Sequence, residues 1–513
     1  MGALATLSLL LALRAAGVAG ALLSPDFLFL DGELLPDGFS YGCGTSAYQI
    51  EGAWNEDGKV ESVWDHFAHD KGKGHIAGDQ TGDLAMDFRH TYKKDLPLFR
   101  RALGINLYDF TIAWTRVQTA DGKPNQRGIE FYRDMMKTAA EHGMQTSCTL
   151  YHWDLPQRLQ DKYHRWISKG NITRDFRDYA ELAYNALGDL CDTWVTMNEP
   201  HSFCSEGYGP DTESAPGYAG PIDLTYQCMH NALLAHSAAV QLFREKKAQG
   251  KVRGKIGIKL DGSPGVPLNS SSQADIEAVT KNNDFGIGWV AGPITSGDYP
   301  PVMRTAMGDT LPKFTEQEKA LLKGSYDFIG FDAYTSQWVT PTKGKCVSDS
   351  DAWPSCIDSF DARPRSNQLI GRPTGSSWNF QQDTTVYDGL KYLHERWGAK
   401  ELIVGENGMA GLNETQLPIN QFVRDADRIE WYRSTLLNVK RALHDGIPLT
   451  GFVPWSCISN LEWSSGYYND FGLIRAKPGR NQTRTPKQSA AYLKGVLTRG
   501  NSIEPYNFVH QEL

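Results

Sequence analysis

The chain has 513 residues, 40% of them hydrophobic and 22% charged, with 14 Trp, 22 Tyr and 21 Phe, a globular composition that allows several domains or one large barrel with insertions. A formal net charge of −8 excludes a general nucleic-acid binder, which needs a basic field. Beyond the N-terminus no run of about 18 apolar residues occurs, which excludes a membrane-spanning helix in a mature chain.

Residues 1–20, an apolar stretch passing into small residues, are expected to be a secretory signal peptide, cut near Gly20 or Ala21. No linker, repeat or low-complexity tract divides 21–513, so one domain is expected. Asn171, Asn269, Asn413 and Asn481 each open an Asn-x-Ser/Thr triplet and are candidate glycan acceptors behind such a leader. The last four residues, HQEL, resemble an endoplasmic-reticulum retrieval signal of the H-D-E-L type, with Gln511 in place of Asp. The expected destination is the lumen of that compartment or the exterior.

Eight short apolar runs follow one another as buried strands. They are 39–49 (FSYGCGTSAYQ), 105–114 (INLYDFTIAW), 145–153 (QTSCTLYHW), 193–199 (TWVTMNE), 255–261 (KIGIKLD), 326–334 (YDFIGFDAY), 402–408 (LIVGENG) and 451–457 (GFVPWSC). Near-continuous apolar character suits parallel strands covered on both faces. Between them lie amphipathic stretches such as 128–143, where Phe131, Met135, Met136 and Ala139 recur at helical spacing, and likewise 173–190 and 425–446. Strand and helix alternating eight times predicts an α/β fold, a single (β/α)8 TIM barrel. The Ser-, Pro-, Gly- and Asp-rich region 335–381 reads as a long excursion over one face.

The eight Cys divide by context. Cys346 and Cys356 bracket a polar loop and are the expected disulfide in an oxidising lumen, with Cys204 and Cys228 a second candidate. Cys43, Cys148 and Cys457 lie in apolar runs and read as buried thiols. No Cys and His spacing matches a zinc site, so no metal and no cofactor is expected.

Barrel enzymes build their sites at the C-terminal strand ends. Those ends here carry Tyr48–Gln49, Trp114, His152–Trp153, Asn198–Glu199, Tyr334, Glu406–Asn407 and Trp455. Glu199 closes the fourth strand and Glu406 the seventh, so the two carboxyl groups can face each other although 207 positions (406 − 199) separate them. Each is costly to bury without a task. Two carboxyls about 5–5.5 Å apart can divide nucleophilic attack and proton donation at an anomeric carbon. Trp455 and the Glu462–Trp463 pair offer a flat partner for a sugar face and an acceptor for its hydroxyls.

Taken in order, SYGCGTSAYQIEGAWNEDGK (40–59), TLYHWDLPQRLQD (149–161), TMNEP (196–200), LPKFTEQEKALLKGSYDFIGF (311–331), VGENG (404–408), ISNLEWSSGYYNDFGL (458–473) and RTPKQSAAYLK (484–494) resemble glycoside hydrolase family 1, the retaining β-glucosidase group, over nearly the whole mature chain. The resemblance implies Glu199 as general acid/base and Glu406 as nucleophile. It also implies a glycone pocket of Gln49, His152, Trp153, Asn198, Tyr334, Trp455, Glu462, Trp463 and Phe471.

Four positions depart from the family pattern, one of them Leu461 in NLEW, where Asn-Phe-Glu-Trp is commoner. Asp109 stands where the family has an Arg beside the nucleophile, Asp332 where it has an Asn, and Ser459 where it has an Asp. Asp109 reverses the sign of the expected influence on Glu406, unless Arg116 or a loop Lys fills the same space. Glu199, Glu406, Asp109 and Asp332 in one desolvated pocket cannot all ionise cheaply. The expected function is a retaining β-glycosidase acting on a small-molecule glycoside or oligosaccharide. The alternatives are a glycoside-binding relative with little hydrolysis, or a transglycosidase or other transferase on the same scaffold.

Overall fold

The computed structural model describes residues 35–498 apart from 164, 211, 349 and 351, so the expected signal peptide and the HQEL tail lie outside the described residues. Eight parallel strands close into a barrel in sequential order. They are β1 (Ser40–Gly44), β2 (Leu107–Thr111), β3 (Gln145–Tyr151), β4 (Thr193–Asn198), β5 (Lys255–Asp261), β6 (Phe328–Asp332), β7 (Leu402–Glu406) and β8 (Leu449–Phe452). The first seven fall within the apolar runs, whereas β8 starts two residues before the run 451–457 and overlaps it only at Gly451 and Phe452. The amphipathic stretches are helices: α1 (Gln126–Glu141), α2 (Asn171–Leu187) and α3 (Ala426–His444) cover the barrel's outside. Phe131, Met135, Met136 and Ala139 are all buried, as their spacing predicts.

Alternation along each strand separates two cores. On β5, Ile256, Ile258 and Leu260 join the large outer core beneath the helices. The opposite parity points inside the barrel, where Leu107, Val195, Phe328, Ile403 and Val453 form a separate apolar plug near the N-terminal strand ends. Asp109 and Lys259 reach into the same interior space as these apolar side chains.

Three local expectations need correction. The first strand stops at Gly44, and Tyr48 and Gln49 lie on a short helical turn, Ala47–Ile50. The excursion after β6 is more ordered than its composition suggests. Gln337–Pro341 pairs antiparallel with Ile357–Phe360 and parallel with Gly265–Pro267. Cys43, Cys148 and Cys457 are not thiols, because Cys43 is bonded to Cys457 and Cys148 to Cys191. The physical reason is strand adjacency. Closure puts β1 beside the segment after β8, where the Cys457 amide donates to the Gly44 carbonyl over 3.0 Å, and Cys191 lies just before β4, the neighbour of β3. Cys346–Cys356 and Cys204–Cys228 pair as expected. Asn269, Asn413 and Asn481 are exposed and Asn171 is half-buried at the start of α2. Among the described residues no helix is long and apolar enough to cross a membrane.

Candidate active site

β4 is buried after its first residue, and the chain leaves it sharply. Glu199 takes a left-handed backbone, φ 48°, and Pro200 then opens the helix Pro200–Gly207. That conformation is uncommon outside Gly and is held only where surrounding structure fixes it. It swings the half-buried Glu199 over the barrel mouth. Glu406 is the last residue of β7 and is 3% exposed. The β6–β7 register shifts between Val404 and Glu406, which brings Glu406 opposite Asp332. Carboxylate oxygens of Glu199, Glu406 and Asp332 lie within 4.8 Å of one another.

A cleft of about 410 Å³ opens over this group. His152, Trp153, Glu199, Asp332, Tyr334, Glu406, Trp455, Glu462, Trp463 and Phe471 all line it. Gln49 and Asn198 stand just behind. The Gln49 amide donates to the Leu461 carbonyl at 2.9 Å, to Asn460 Oδ1 at 3.1 Å and to Glu462 Oε2 at 3.5 Å. The Asn198 amide lies 3.4 Å from His152 Nε2, and the Trp153 indole donates to the Asn198 carbonyl at 3.1 Å. Trp463 stacks on Trp153 with ring centres 4.6 Å apart and planes at 21°, making one aromatic wall, and Trp455 lies 5.9 Å from His152. Phe471 and the 44% exposed Trp378 flank Tyr334.

The nucleophile candidate has two different oxygens. Oε2 of Glu406 accepts from the Tyr334 hydroxyl at 2.9 Å. Oε1 has no hydrogen-bond partner and faces Lys259 Nζ at 3.7 Å. Lys259 in turn donates to Asp109 Oδ2 at 2.6 Å. Asp109 therefore lies beneath the cleft, in the barrel interior with Lys259, rather than in the pocket wall. The expected loss of a cation beside Glu406 is thus corrected, since Lys259 supplies one. Arg116 does not fill that space: it is buried against Glu51, at 2.8 Å. Ser459 keeps a carboxylate nearby through its 2.7 Å hydrogen bond to Asp470.

Electrostatics follow from this packing. Burial, then Asp261 and Glu406, push the Glu199 carboxyl well above its ordinary range. Burial raises Glu406 to about 7 against the opposing pull of Lys259 and the Tyr334 hydrogen bond. At 3.7 Å and an effective dielectric of about 20, that attraction is on the order of 4 kcal/mol; the upward direction of Glu406 makes burial the larger effect. Asp332, 1% exposed and with neither oxygen hydrogen-bonded, is raised strongly by burial and by Glu406. Burial and Glu406 bring Glu462 up to about 8. His152 is held neutral by burial and by Lys259. On the outer side of the cleft, burial opposes the charge on His201 and Asp261, but their 3.0 Å contact prevails, raising the former and lowering the latter.

Lys259, His201, Asp261 and Trp378 carry no motif that singles them out. One signal was available: a Lys inside the apolar run KIGIKLD, in a strand expected to be covered on both faces, must meet a buried anion.

The chain matches the glycosyl hydrolase family 1 across residues 32–502. Among curated relatives, Beta-glucosidase 12 of Oryza sativa subsp. japonica is 36% identical over 484 residues, covering 90% of this chain and 92% of its own. Raucaffricine-O-beta-D-glucosidase of Rauvolfia serpentina is 33% identical over 501 residues, covering 92% of each. Among solved structures, a rice β-glucosidase mutant in a covalent complex with glucose superposes with a TM-score of 0.85 at 33% identity, covering 90% of this chain and 98% of that one. The β-glucosidase of the fungus Humicola insolens in complex with glucose gives 0.85 at 34%, covering 91% and 98%.

Proposed function

The chain belongs to glycosyl hydrolase family 1, and on that premise we propose that Glu406 is its nucleophile and Glu199 its general acid/base. It is a retaining β-glycosidase of the β-glucosidase kind. Neither the cleft nor the relatives favour a binding protein or a transferase.

In the first step a Glu406 oxygen attacks the anomeric carbon while the bond to the leaving oxygen breaks. Glu199, protonated, gives that oxygen its proton. In the second step Glu199, now a carboxylate, takes a proton from water. The water oxygen attacks the same carbon, and Glu406 leaves as a carboxylate. Two inversions return the β configuration.

The observation that supports the retaining course is the spacing: oxygens within 4.8 Å leave no room for a water between the carboxyls, as an inverting enzyme would need, while the division of roles rests on the motifs TMNEP and VGENG. Gln49, His152, Asn198 and Glu462 are proposed to hold the sugar's hydroxyls, and Trp455 and Trp463 its apolar face. Glucose is the proposed sugar, supported by the names of the relatives. The test is hydrolysis of a nitrophenyl β-glucoside followed by NMR. The β-anomer of glucose should appear first, and an initial α-anomer would overturn the assignment.

Four disulfides indicate a secretory route. Lumenal retention through HQEL is proposed in addition. Deleting the four residues should move the protein into the medium, and unchanged retention would remove them from the account.

A further inference from the structure

Resting on the reading of Glu406 as nucleophile, we propose that Lys259 is the positioning cation of that carboxylate and that Asp109 is the tether that aims it. The pair does from beneath, across the barrel, what a single arginine on β2 would do from the side.

Four observations carry this. First, Lys259 rises inside the barrel from β5, and its ammonium reaches Asp109 Oδ2 at 2.6 Å and Glu406 Oε1 at 3.7 Å. It joins two anions from β2 and β7, strands three places apart around the closed sheet. Second, the path is cleared for it. A Cβ on Gly330 would come within 2.7 Å of Lys259 Cγ, and one on Gly405 within 3.3 Å of its Cδ. Third, solvent cannot replace it, because the Lys259 and Asp109 side chains are each 5% exposed. Fourth, Oε1 of Glu406 makes no hydrogen bond of regular geometry, the neutral Asn198 amide being its looser neighbour, and Lys259 is the cation that the described residues bring to it.

Lys259 does not line the cleft and so acts on Glu406, not on the sugar. The titratable groups facing Glu406 are Lys259 on β5, Asp109 on β2, Asp332 and Tyr334 at the end of β6, Glu199 after β4 and Glu462 after β8. Among these Lys259 alone is cationic. With Asp332 and Glu199 neutral, one ammonium stands between two carboxylates. Asp109 takes the shorter contact, which fixes the ammonium's direction and leaves Glu406 with a partial share of its field. A nucleophile so held is ionised near neutrality yet less stabilised than one with a cation to itself.

The test is the pH dependence of kcat/KM on a nitrophenyl β-glucoside with three variants of the full chain. Lys259→Met should move the acid-side limb up by at least about one pH unit and reduce activity at pH 6 at least tenfold. Because Lys259→Met strands Asp109 as a buried charge and can fail to fold, the neutral pair Asp109→Asn/Lys259→Met is the second variant; it also removes the Asp109 charge that opposes ionisation of Glu406, so its limb should move up by less than in Lys259→Met. Asp109→Asn alone frees the ammonium for Glu406 and should move the limb down. A limb unmoved in a folded Lys259→Met variant, or unmoved or moved up in Asp109→Asn, overturns the proposal. Glu406→Gln is the control. If it keeps full activity, the nucleophile assignment falls. If it is inactive while the Lys259 variants titrate like the parent, only the role of Lys259 falls.

Discussion

Glu199 and Glu406 bring carboxylate oxygens within 4.8 Å of each other across the barrel mouth, from the ends of two strands that are not neighbours in the sheet. Each arrives by a local irregularity. Glu199 has a left-handed backbone and Glu406 follows a register shift against β6. Regular strands would carry both side chains on along the barrel axis, so these irregularities set the distance over which chemistry can pass between them.

The two carboxyls should fail differently when removed. Glu406→Gln deletes the attacking oxygen and should reduce kcat by 10³-fold or more on every substrate, an order of magnitude set by loss of nucleophilic catalysis. Glu199→Ala should slow substrates with poor leaving groups by about 10²–10⁴-fold and spare good ones, which need no proton. Added azide should then speed the Glu199→Ala enzyme by attacking the glycosyl-enzyme. The check is a series of aryl β-glucosides of graded leaving-group pKa; equal losses across the series would reject the division of labour.

The pH profile follows from the raised carboxyls. Glu406 must be ionised to attack, and burial lifts it to about 7, so kcat/KM should fall as pH drops through that value. Glu199 must be protonated to donate, and burial and its anionic neighbours lift it well above the ordinary range, so the alkaline limb lies far from that of a solvated Glu. The two limbs belong to the interacting set rather than to single residues. A profile from pH 4 to 10 should give a bell centred at or above neutrality. An acid-side midpoint near the ordinary Glu value of about 4.3 would reject the burial argument.

Asp332 should be a neutral acid at working pH, because burial and Glu406 both oppose its charge and neither oxygen has a hydrogen-bond donor. A protonated Asp offers an O–H where an Asn offers an N–H. Asp332→Asn should therefore leave kcat/KM at neutral pH within about threefold and its acid limb in place. An ionised Asp332 would instead repel charge on Glu406, and its removal would shift that limb down by about one unit. The limb position distinguishes the two.

Much of this was legible in the sequence, and the failures share a cause. Parallel strands covered on both faces leave continuous apolar runs, so the eight strands were readable one by one, although their ends were not: Tyr48 and Gln49 lie on a helical turn past β1, and Trp455 lies three residues past β8. Relations between strands were not. Asp109 alone reads as a lost cation because its partner Lys259 lies 150 residues further on, on a strand across the barrel. Cys43 and Cys457 read as thiols although a closed barrel makes the first strand and the segment after the eighth neighbours, and pairing was implicit in the fold already predicted. Glu199 and Glu406 escaped this limit because each has a local marker, an apolar strand ending in a carboxylate beside a turn.

Stability gives an independent view of the same charge. The folded-state pKa of Glu406 is raised above the unfolded value, from 4.5 to about 7, because burial penalises its charged form. Such a group costs nothing at pH 4, where it is protonated in both states. The cost grows as pH rises past the unfolded value and is complete above the folded one. The gap corresponds to roughly 3 kcal/mol. Glu406→Gln removes the ionisation while keeping the side-chain shape, and Lys259 retains Asp109 as its partner. The variant should match the parent's unfolding temperature at pH 4 and exceed it at pH 8, measured by thermal denaturation at constant ionic strength. A difference independent of pH, or a less stable variant at pH 8, would mean that the Lys259 and Tyr334 contacts outweigh burial and that Glu406 ionises in the ordinary carboxylate range.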